Sequence, residues 1–333
     1  MRSFGNGRDV PHTSVSVALC TYQGEKYLQE QLDSIASQSR LPDELVVCDD
    51  GSTDGTLGIL DRFRSRAPFS VRVNVNEKQL GPAKNFERAI ERCEGELIFL
   101  SDQDDVWHPE KLSTLVPIFV ARPQVGGVFC DADVVDERLR HRGYSVWEFF
   151  HFGASLQRKF ARGRGLDVLL KHNVVAGMTM GFRASFRDLI IPIPADWFYD
   201  AWIPLLIAAV ADIEMVPHRL VRYRQHQTQA IGMNKVRLRE VVAEKRKVDA
   251  SDFLRLADQY DVAAERLTVR MGSYCISKTV IQRLEAKVRH FRARADMRTG
   301  NGRFALLAKE ISALNYRRYS SGWRSLAVDV FLS

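Results

Sequence analysis

Side chains able to do chemistry gather in four short clusters of this 333-residue sequence. The first is Ser101-Asp102-Gln103-Asp104-Asp105. In an extended segment residues two apart project to one side, so Asp102 and Asp104 can converge on a point while Asp105 faces away. Two hard carboxylates placed so suit Mg²⁺ or Mn²⁺ held together with a diphosphate. Taken alone, they equally suit an acidic turn that caps the helix starting near Pro109. The second cluster is Asp49-Asp50-Gly51-Ser52-Thr53-Asp54-Gly55. Ser52, Thr53 or Asp54 can cap a following helix and the glycines ease the turn, but a cap does not need two consecutive aspartates. Such carboxylates can accept from a nucleobase imide N–H or a ribose hydroxyl. Third, Asp200 opens an apolar helical stretch, where it is either an N-cap or a general base; the helix dipole makes the two roles compatible. The fourth is Tyr223-Arg224-Gln225-His226. A lone histidine reads as an ordinary surface or core residue, yet beside Arg222 and Arg224 it offers a contact to metal or diphosphate.

Those clusters fall where an open sheet would put them. Nearly continuous apolar runs predict strands at Ser14–Cys20, Glu44–Cys48, Val71–Asn76, Glu96–Ser101 and Val125–Cys130. Helical patterns lie between them at about 26–38, 54–66, 83–93 and 108–122. This alternation predicts right-handed βαβ units in an α/β domain, whose ligands sit beyond the carboxyl ends of the strands. Thr21-Tyr22-Gln23, the Asp49 cluster and the Asp102 cluster follow three of those ends. There is neither a GxGxxG nor a GxxxxGK[ST] after any strand. Residues 143–164 read as irregular or mobile, Val174–Phe182 as a strand, and Asp200–Ala211 as a helix with Pro204 in its first turn. Beyond Asn234 the pattern is helical and charged, broken at Gly300-Asn301-Gly302.

Composition narrows the class. Hydrophobic residues make up 45% and charged residues 27%, which excludes a disordered chain. Five cysteines stand far apart with no CxxC pair, which excludes a disulfide scaffold and a cysteine-based zinc site and fits a reducing compartment. No run reaches the roughly 18–20 apolar residues of a membrane span, and no apolar signal core precedes Val15. Residues 234–333 carry 21 basic and 11 acidic side chains against 27 and 30 in the first 233. A basic tail on a near-neutral body points to a polyanionic surface, membrane or nucleic acid, or to a solvated helical face.

Read in order, LCTYQGEKYLQEQLDSIASQS, ELVVCDDGSTDGT, GPAKNFERAI and LIFLSDQDDVWHPEKL resemble glycosyltransferase family 2, the inverting nucleotide-sugar transferases of GT-A fold. SDQDDVW, Asp200-Ala-Trp202 and YRQH are most similar to the bacterial rhamnosyltransferase branch, over about Val15 to Gly232. Asn173-Val-Val-Ala-Gly177-Met-Thr179-Met180-Gly-Phe182 follows that branch's acceptor-side strand, with Met178 where Cys is frequent. Tyr199-Asp200-Ala201-Trp202 stands where the branch commonly has His-Asp-Trp-Trp, and Gln229 and Gly232 stand where it often has Asn and Gly.

The resemblance implies a Rossmann-like, mostly parallel sheet flanked by helices. Residues 1–233 would be the catalytic domain, with a nucleotide-sugar part at about 14–131 and an acceptor part at about 132–233; residues 234–333 would be a basic helical region. It implies Asp200 as catalytic base. Thr21, Tyr22, Asp49, Asp50, Lys84, Asp102, Gln103 and Arg224 would meet the nucleotide sugar, and Gly177, Met178, Thr179 and Trp202 the acceptor. Asp102, Asp104 and His226 would hold Mg²⁺ or Mn²⁺. The expected reaction is metal-dependent inverting transfer, with L-rhamnose from dTDP-β-L-rhamnose as donor sugar, to a hydroxyl of a bacterial surface glycan such as O-antigen. The acceptor glycan, free or lipid-linked, is the expected partner. The expected location is cytoplasmic, peripheral on the inner face of the membrane, with the tail on anionic lipid, packed on the body, or pairing two copies. Two other readings stand beside this one: a family 2 enzyme using another UDP- or dTDP-sugar, and a non-catalytic nucleic-acid-binding protein.

Overall fold

The computed structural model describes residues 12–227, 229, 249–299 and 303–331. Its centre is a nine-stranded sheet of β1 (Val15–Thr21), β2 (Glu44–Asp49), β3 (Ser70–Val75), β4 (Leu97–Ser101), β5 (Val106–Trp107), β6 (Val125–Val135), β7 (His141–Ser145), β8 (Met180–Arg183) and β9 (Asp212–Arg224). The order is β3-β2-β1-β4-β8-β6-β9-β5, with β7 beside β6. β1, β2, β3 and β4 run parallel, as the apolar runs of β1, β2 and β4 predict; β3, at the sheet edge, alternates valine with Arg72 and Asn74. β8 is antiparallel to both β4 and β6, and β6 is parallel to β9. The carboxyl ends of β1, β2, β4, β6 and β9 therefore share one edge.

Helices cover both faces: α1 (Leu28–Ala36), α2 (Thr56–Arg64), α3 (Pro82–Arg92) and α4 (Lys111–Ala121) in the first half. Four short helices follow: α5 (Val146–Phe149), α6 (Ala154–Ala161), α7 (Gly165–Leu169) and α8 (Arg187–Ile190). Then comes α9 (Tyr199–Val210). One core lies under α1, α2 and α4, the other under α3, α6, α7 and α9.

The structure corrects three expectations. Residues 143–164 are ordered: Ser145 and Glu148 form a capping box on α5, and Phe160 packs edge-on against Phe129 while Trp147 and Phe152 pack against it at a tilt. Of Val174–Phe182, residues 177–179 form a 3-10 turn, in which the Thr179 hydroxyl donates to Ala176 O at 2.7 Å, and the strand begins at Met180. Pro204 sits in the second turn of α9, where it lacks the N–H that would bond to Asp200 O. Asn173 Nδ2 supplies that bond at 3.2 Å, so the helix continues unbroken.

Beyond residue 248 lie α10 (Ala250–Val269), α11 (Lys278–Arg298), α12 (Arg303–Ser312), α13 (Asn315–Tyr319) and α14 (Trp323–Phe331). Asp249 caps α10. Ala263, Leu267, Leu284 and Tyr319 enter the same core as Phe129 and Trp202. The buried Lys287 Nζ donates to Leu170 O at 2.6 Å, and Trp197 Nε1 to Gln259 O at 3.1 Å. α10 and α11, with Tyr319 of α13, thus pack onto the sheet domain. Among the described residues no helix is long and apolar enough to cross a membrane. The N-terminal segment before Val15, as far as Pro11, and Gly232, Asn234 and Gly300-Asn301-Gly302 lie outside the described residues.

Candidate active site

The end of β4 turns the chain into the acidic cluster. Asp102 is half-buried, and the Tyr199 hydroxyl donates to its two oxygens at 3.0 and 3.3 Å. Burial, reinforced by the charge of Asp104, pushes the Asp102 carboxyl up to about 7, against the pull of that hydroxyl. Asp104 Oδ2 lies 2.8 Å from His226 Nε2 at the end of β9, and the His226 ring leans on Tyr27 with centroids 4.8 Å apart. Asp105 faces the interior. Its Oδ1 accepts from Arg224 N at 3.1 Å, and its Oδ2 has no hydrogen-bond partner. Burial and the neighbouring carboxylates raise Asp105 well above the usual carboxylate range.

Asp200 approaches from the other side. It is the second residue of α9, one position inside the helix, with Phe198 at the cap position. The backbone N–H groups of Gly177 and of Asp200 itself favour the ionised carboxylate; burial outweighs both and raises it to about 6. Its charge is felt at Asp102. Tyr199 joins the two: its ring stacks on Phe86 at 3.9 Å and lies so close over Gly177 that a Cβ there would sit 2.4 Å from the ring. Lys111, fully buried beneath this region, donates to Met178 O at 2.7 Å over the face of Trp107. Burial pushes its ammonium down to about 7.

The loops after β1 and β2 form the adjoining rim. Asp49 is buried, accepting from Thr21 Oγ1 (2.7 Å), Ser52 Oγ (2.6 Å), Ser52 N (2.7 Å) and Gly51 N (3.1 Å). Asp50 accepts from Asn76 Nδ2, Leu80 N and Gly81 N, each at 2.8 Å, and so fixes the turn into α3. Gly81 there has φ +82, in the left-handed region that favours glycine. The Gln103 amide forms paired 2.9 Å bonds with the Tyr22 backbone, tying this rim to the acidic loop; a Cβ on Gly24 would strike it at 2.2 Å. The Tyr22 side chain stays exposed, and Lys84 Nζ pairs with Glu87 at 2.8 Å.

Several expected contacts do not match their surroundings. Arg224, expected at the diphosphate, is 1% exposed. Its guanidinium bonds to Asp104 O, Glu137 O and Glu30 and lies over Tyr27, so it bolts β9 to the acidic loop. Trp202, expected at the acceptor, is wholly buried and donates to Ile190 O at 2.8 Å. Met178 and Thr179 are also buried, and Gly177 is covered by Tyr199. Sequence reasoning assigned nothing to Tyr199 or Lys111. Tyr199 carried one signal, its place beside Asp200 where His is common.

Among the described residues no three His, Cys, Asp or Glu side chains converge closely enough to hold a metal unaided. The donors present nevertheless fit a hard divalent ion. The 2.8 Å between Asp104 Oδ2 and His226 Nε2 is near the roughly 3 Å between adjacent ligands of an octahedral ion with bonds of about 2.1 Å. Remaining positions would go to diphosphate oxygens and water, as is usual for Mg²⁺.

The family profile described as Glycosyl transferase family 2 matches residues 16–190. The chain belongs to glycosyl transferase family 2. This family 2 chain is 35% identical over 106 residues to the dTDP-rhamnosyl transferase RfbG of Shigella flexneri, covering 31% of this chain and 37% of RfbG. It superposes on S. aureus TarS 1–349 in complex with UDP-GlcNAc with a TM-score of 0.52 and 21% identity, over 85% of this chain and 81% of that one. For the mannosyltransferase PcManGT from Pyrobaculum calidifontis, in complex with GDP-Man and Mn²⁺, the values are 0.50 and 18%, over 97% and 87%. At these identities the structural likeness establishes the GT-A type of fold. The chain spans 59% of the length of a curated relative from Mycobacterium tuberculosis, to which it is 28% identical over 217 residues, 64% of this chain.

Proposed function

We propose that this family 2 chain transfers a sugar, with inversion, from a nucleoside-diphosphate donor to an acceptor hydroxyl of a bacterial surface glycan, free or lipid-linked. The observation that carries the reading is the meeting of Asp200, through Tyr199, with Asp102 and Asp104 at one strand edge. Asp200 is the proton acceptor: half-buried and raised to about 6, it is ionised at neutral pH yet basic enough to draw a proton from a hydroxyl attacking the anomeric carbon. The diphosphate leaves from the opposite face, so no covalent intermediate or second nucleophilic carboxylate is required. Asp102, Asp104 and His226 are the residues that would hold Mg²⁺ or Mn²⁺, whose charge would stabilise the departing phosphate. PcManGT, solved with Mn²⁺, supports that choice.

Exposed Tyr22 and the rim residue Lys84 meet the nucleotide sugar directly in this reading. Thr21, Asp49, Asp50 and Gln103 act through the loop backbone they hold. Gly177 contributes by leaving room for Tyr199. The donor we favour is dTDP-β-L-rhamnose, giving an α-L-rhamnoside, on the strength of the likeness to RfbG. The likeness to TarS bound to UDP-GlcNAc favours a different sugar as the second reading.

A screen of dTDP-, UDP- and GDP-sugars, measuring nucleoside diphosphate release with Mg²⁺, Mn²⁺ or EDTA, tests the proposal. Release from dTDP-rhamnose alone supports the first donor and release from UDP-N-acetylglucosamine the second. No release from any donor with either metal, or full turnover by Asp104→Ala, overturns the mechanism.

A further inference from the structure

The C-terminal helices carry an outer face that the catalytic reading does not use. Phe304, Ala308 and Ile311 recur at helical spacing along α12 and are all exposed, Phe304 at 84%. Leu314, in the turn after α12, and Trp323, at the start of α14, are exposed as well, Trp323 at 74%. Lys309, Arg317, Arg318 and Arg324 are exposed beside them, and among the described residues none of the four takes part in an ion pair.

The inner face shows where the balancing acids went. Between Lys278 and Arg324 there are 12 basic and 3 acidic residues. One of the three, Glu310, is buried against His290 Nδ1 at 2.5 Å; Asp329, just beyond, is buried against Arg294 at 2.6 Å and Arg298 at 3.2 Å. Glu285 and Asp296 stay exposed on α11, but both acids of α12, α13 and α14 are turned inward, so the exposed charges of those three helices are cationic and alternate along the chain with exposed apolar residues.

We propose that α12, α13 and α14 dock on an anionic lipid surface. Phe304, Ile311, Leu314 and Trp323 enter the headgroup boundary, while Lys309, Arg317, Arg318 and Arg324 meet the phosphates. Charge complementarity selects this occupant: bases interleaved with large exposed apolar groups match an interface with an anionic layer over hydrocarbon. A nucleic acid would engage the charges and leave Phe304 and Ile311 in water.

The test is flotation of the full chain with phosphatidylcholine vesicles, with and without phosphatidylglycerol, alongside light scattering of the free protein. The full chain should float with anionic vesicles at low salt, release at high salt, and ignore neutral ones. Two variants, Phe304→Ser with Trp323→Ser and Arg317→Glu with Arg318→Glu, should each weaken vesicle binding by roughly tenfold or more at unchanged melting temperature. Vesicle binding should also shift Trp323 emission to the blue, a change lost in Trp323→Phe. Absence of flotation at low salt, or wild-type binding by both variants, overturns the proposal. So does a dimer that the first variant converts to monomer without vesicles, which would assign the face to a second copy. Salt-sensitive binding to an oligonucleotide without vesicle binding overturns it as well.

Discussion

Asp200 carries the chemistry in its ionised form, so the pH dependence of turnover is fixed by its environment. With the carboxyl raised to about 6, kcat should fall about tenfold per pH unit below that value and level off above it, as a pH–rate profile will show. Asp200→Asn should lower kcat by about 10²–10⁴ with donor binding nearly unchanged. Its effect on stability has a definite sign. A carboxyl whose pKa is higher folded than unfolded binds its proton more tightly in the native state, so at neutral pH the ionised group opposes folding, and that penalty fades as pH falls through about 6. The Asn variant should therefore melt no lower than the parent at pH 7.5; a clear loss of melting temperature with normal kcat would assign Asp200 to the helix end alone. Gly177→Ala drives a methyl into the Tyr199 ring and should cost roughly tenfold or more in kcat/KM by displacing the hydroxyl from Asp102. Residue types and spacing brought out Asp102, Asp104, Asp200 and His226 as candidates, and the resemblance to the family, not the spacing, attached roles to them. Tyr199 and Lys111 were not brought out, because a stacked phenol and a buried ammonium take their meaning from partners 97 and 67 positions away.

β1, β2 and β4 were legible because their residues are buried on both faces, where every position must be apolar or paired; half-exposed β3 was legible through its alternating valines. β9 escaped the reading because Pro217 interrupts it. The strand accommodates Pro217 by a bulge in which Val216 and Arg219 face consecutive residues of β6. Arg224, at the far end of β9, looked like a ligand for phosphate because a cation beside a histidine fits that role. Its burial depends on Tyr27 and Glu30 from the start of α1 and on Glu137 from the turn after β6. Arg224→Ala should destabilise the protein by about 2–4 kcal/mol in urea unfolding, and Arg224→Lys should recover little, since a point charge cannot make the forked contacts. On α9, Asn173→Ala leaves the Asp200 carbonyl without a partner beneath Pro204 and should cost about 1–3 kcal/mol.

At the scale of the whole molecule, the basic region that charge marked off from the body is continuous with it in packing. A chain ending at Met271 would strip Ile276, Leu284 and Tyr319 from the core shared with Phe129 and Trp202, and would remove the Lys287 bond to Leu170. It should aggregate or unfold without a cooperative transition, which calorimetry and size-exclusion chromatography will show. Charge patterning does not report packing, because buried Lys287 and Arg294 look the same in sequence as the exposed Arg317 and Arg318, and the alanines and leucines that bind the helices to the body are unremarkable in composition. The shared core also has a consequence for how the protein is made. The strands that build the site emerge first from the ribosome, but their hydrophobic layer is incomplete until Leu284 and then Tyr319 have followed. From Arg224 to Tyr319 that interval is about 5–20 s at usual synthesis rates of about 5–20 residues per second. For that time a finished sheet edge waits with apolar surface open to solvent, and the chain is a natural client for a chaperone that holds nascent polypeptides.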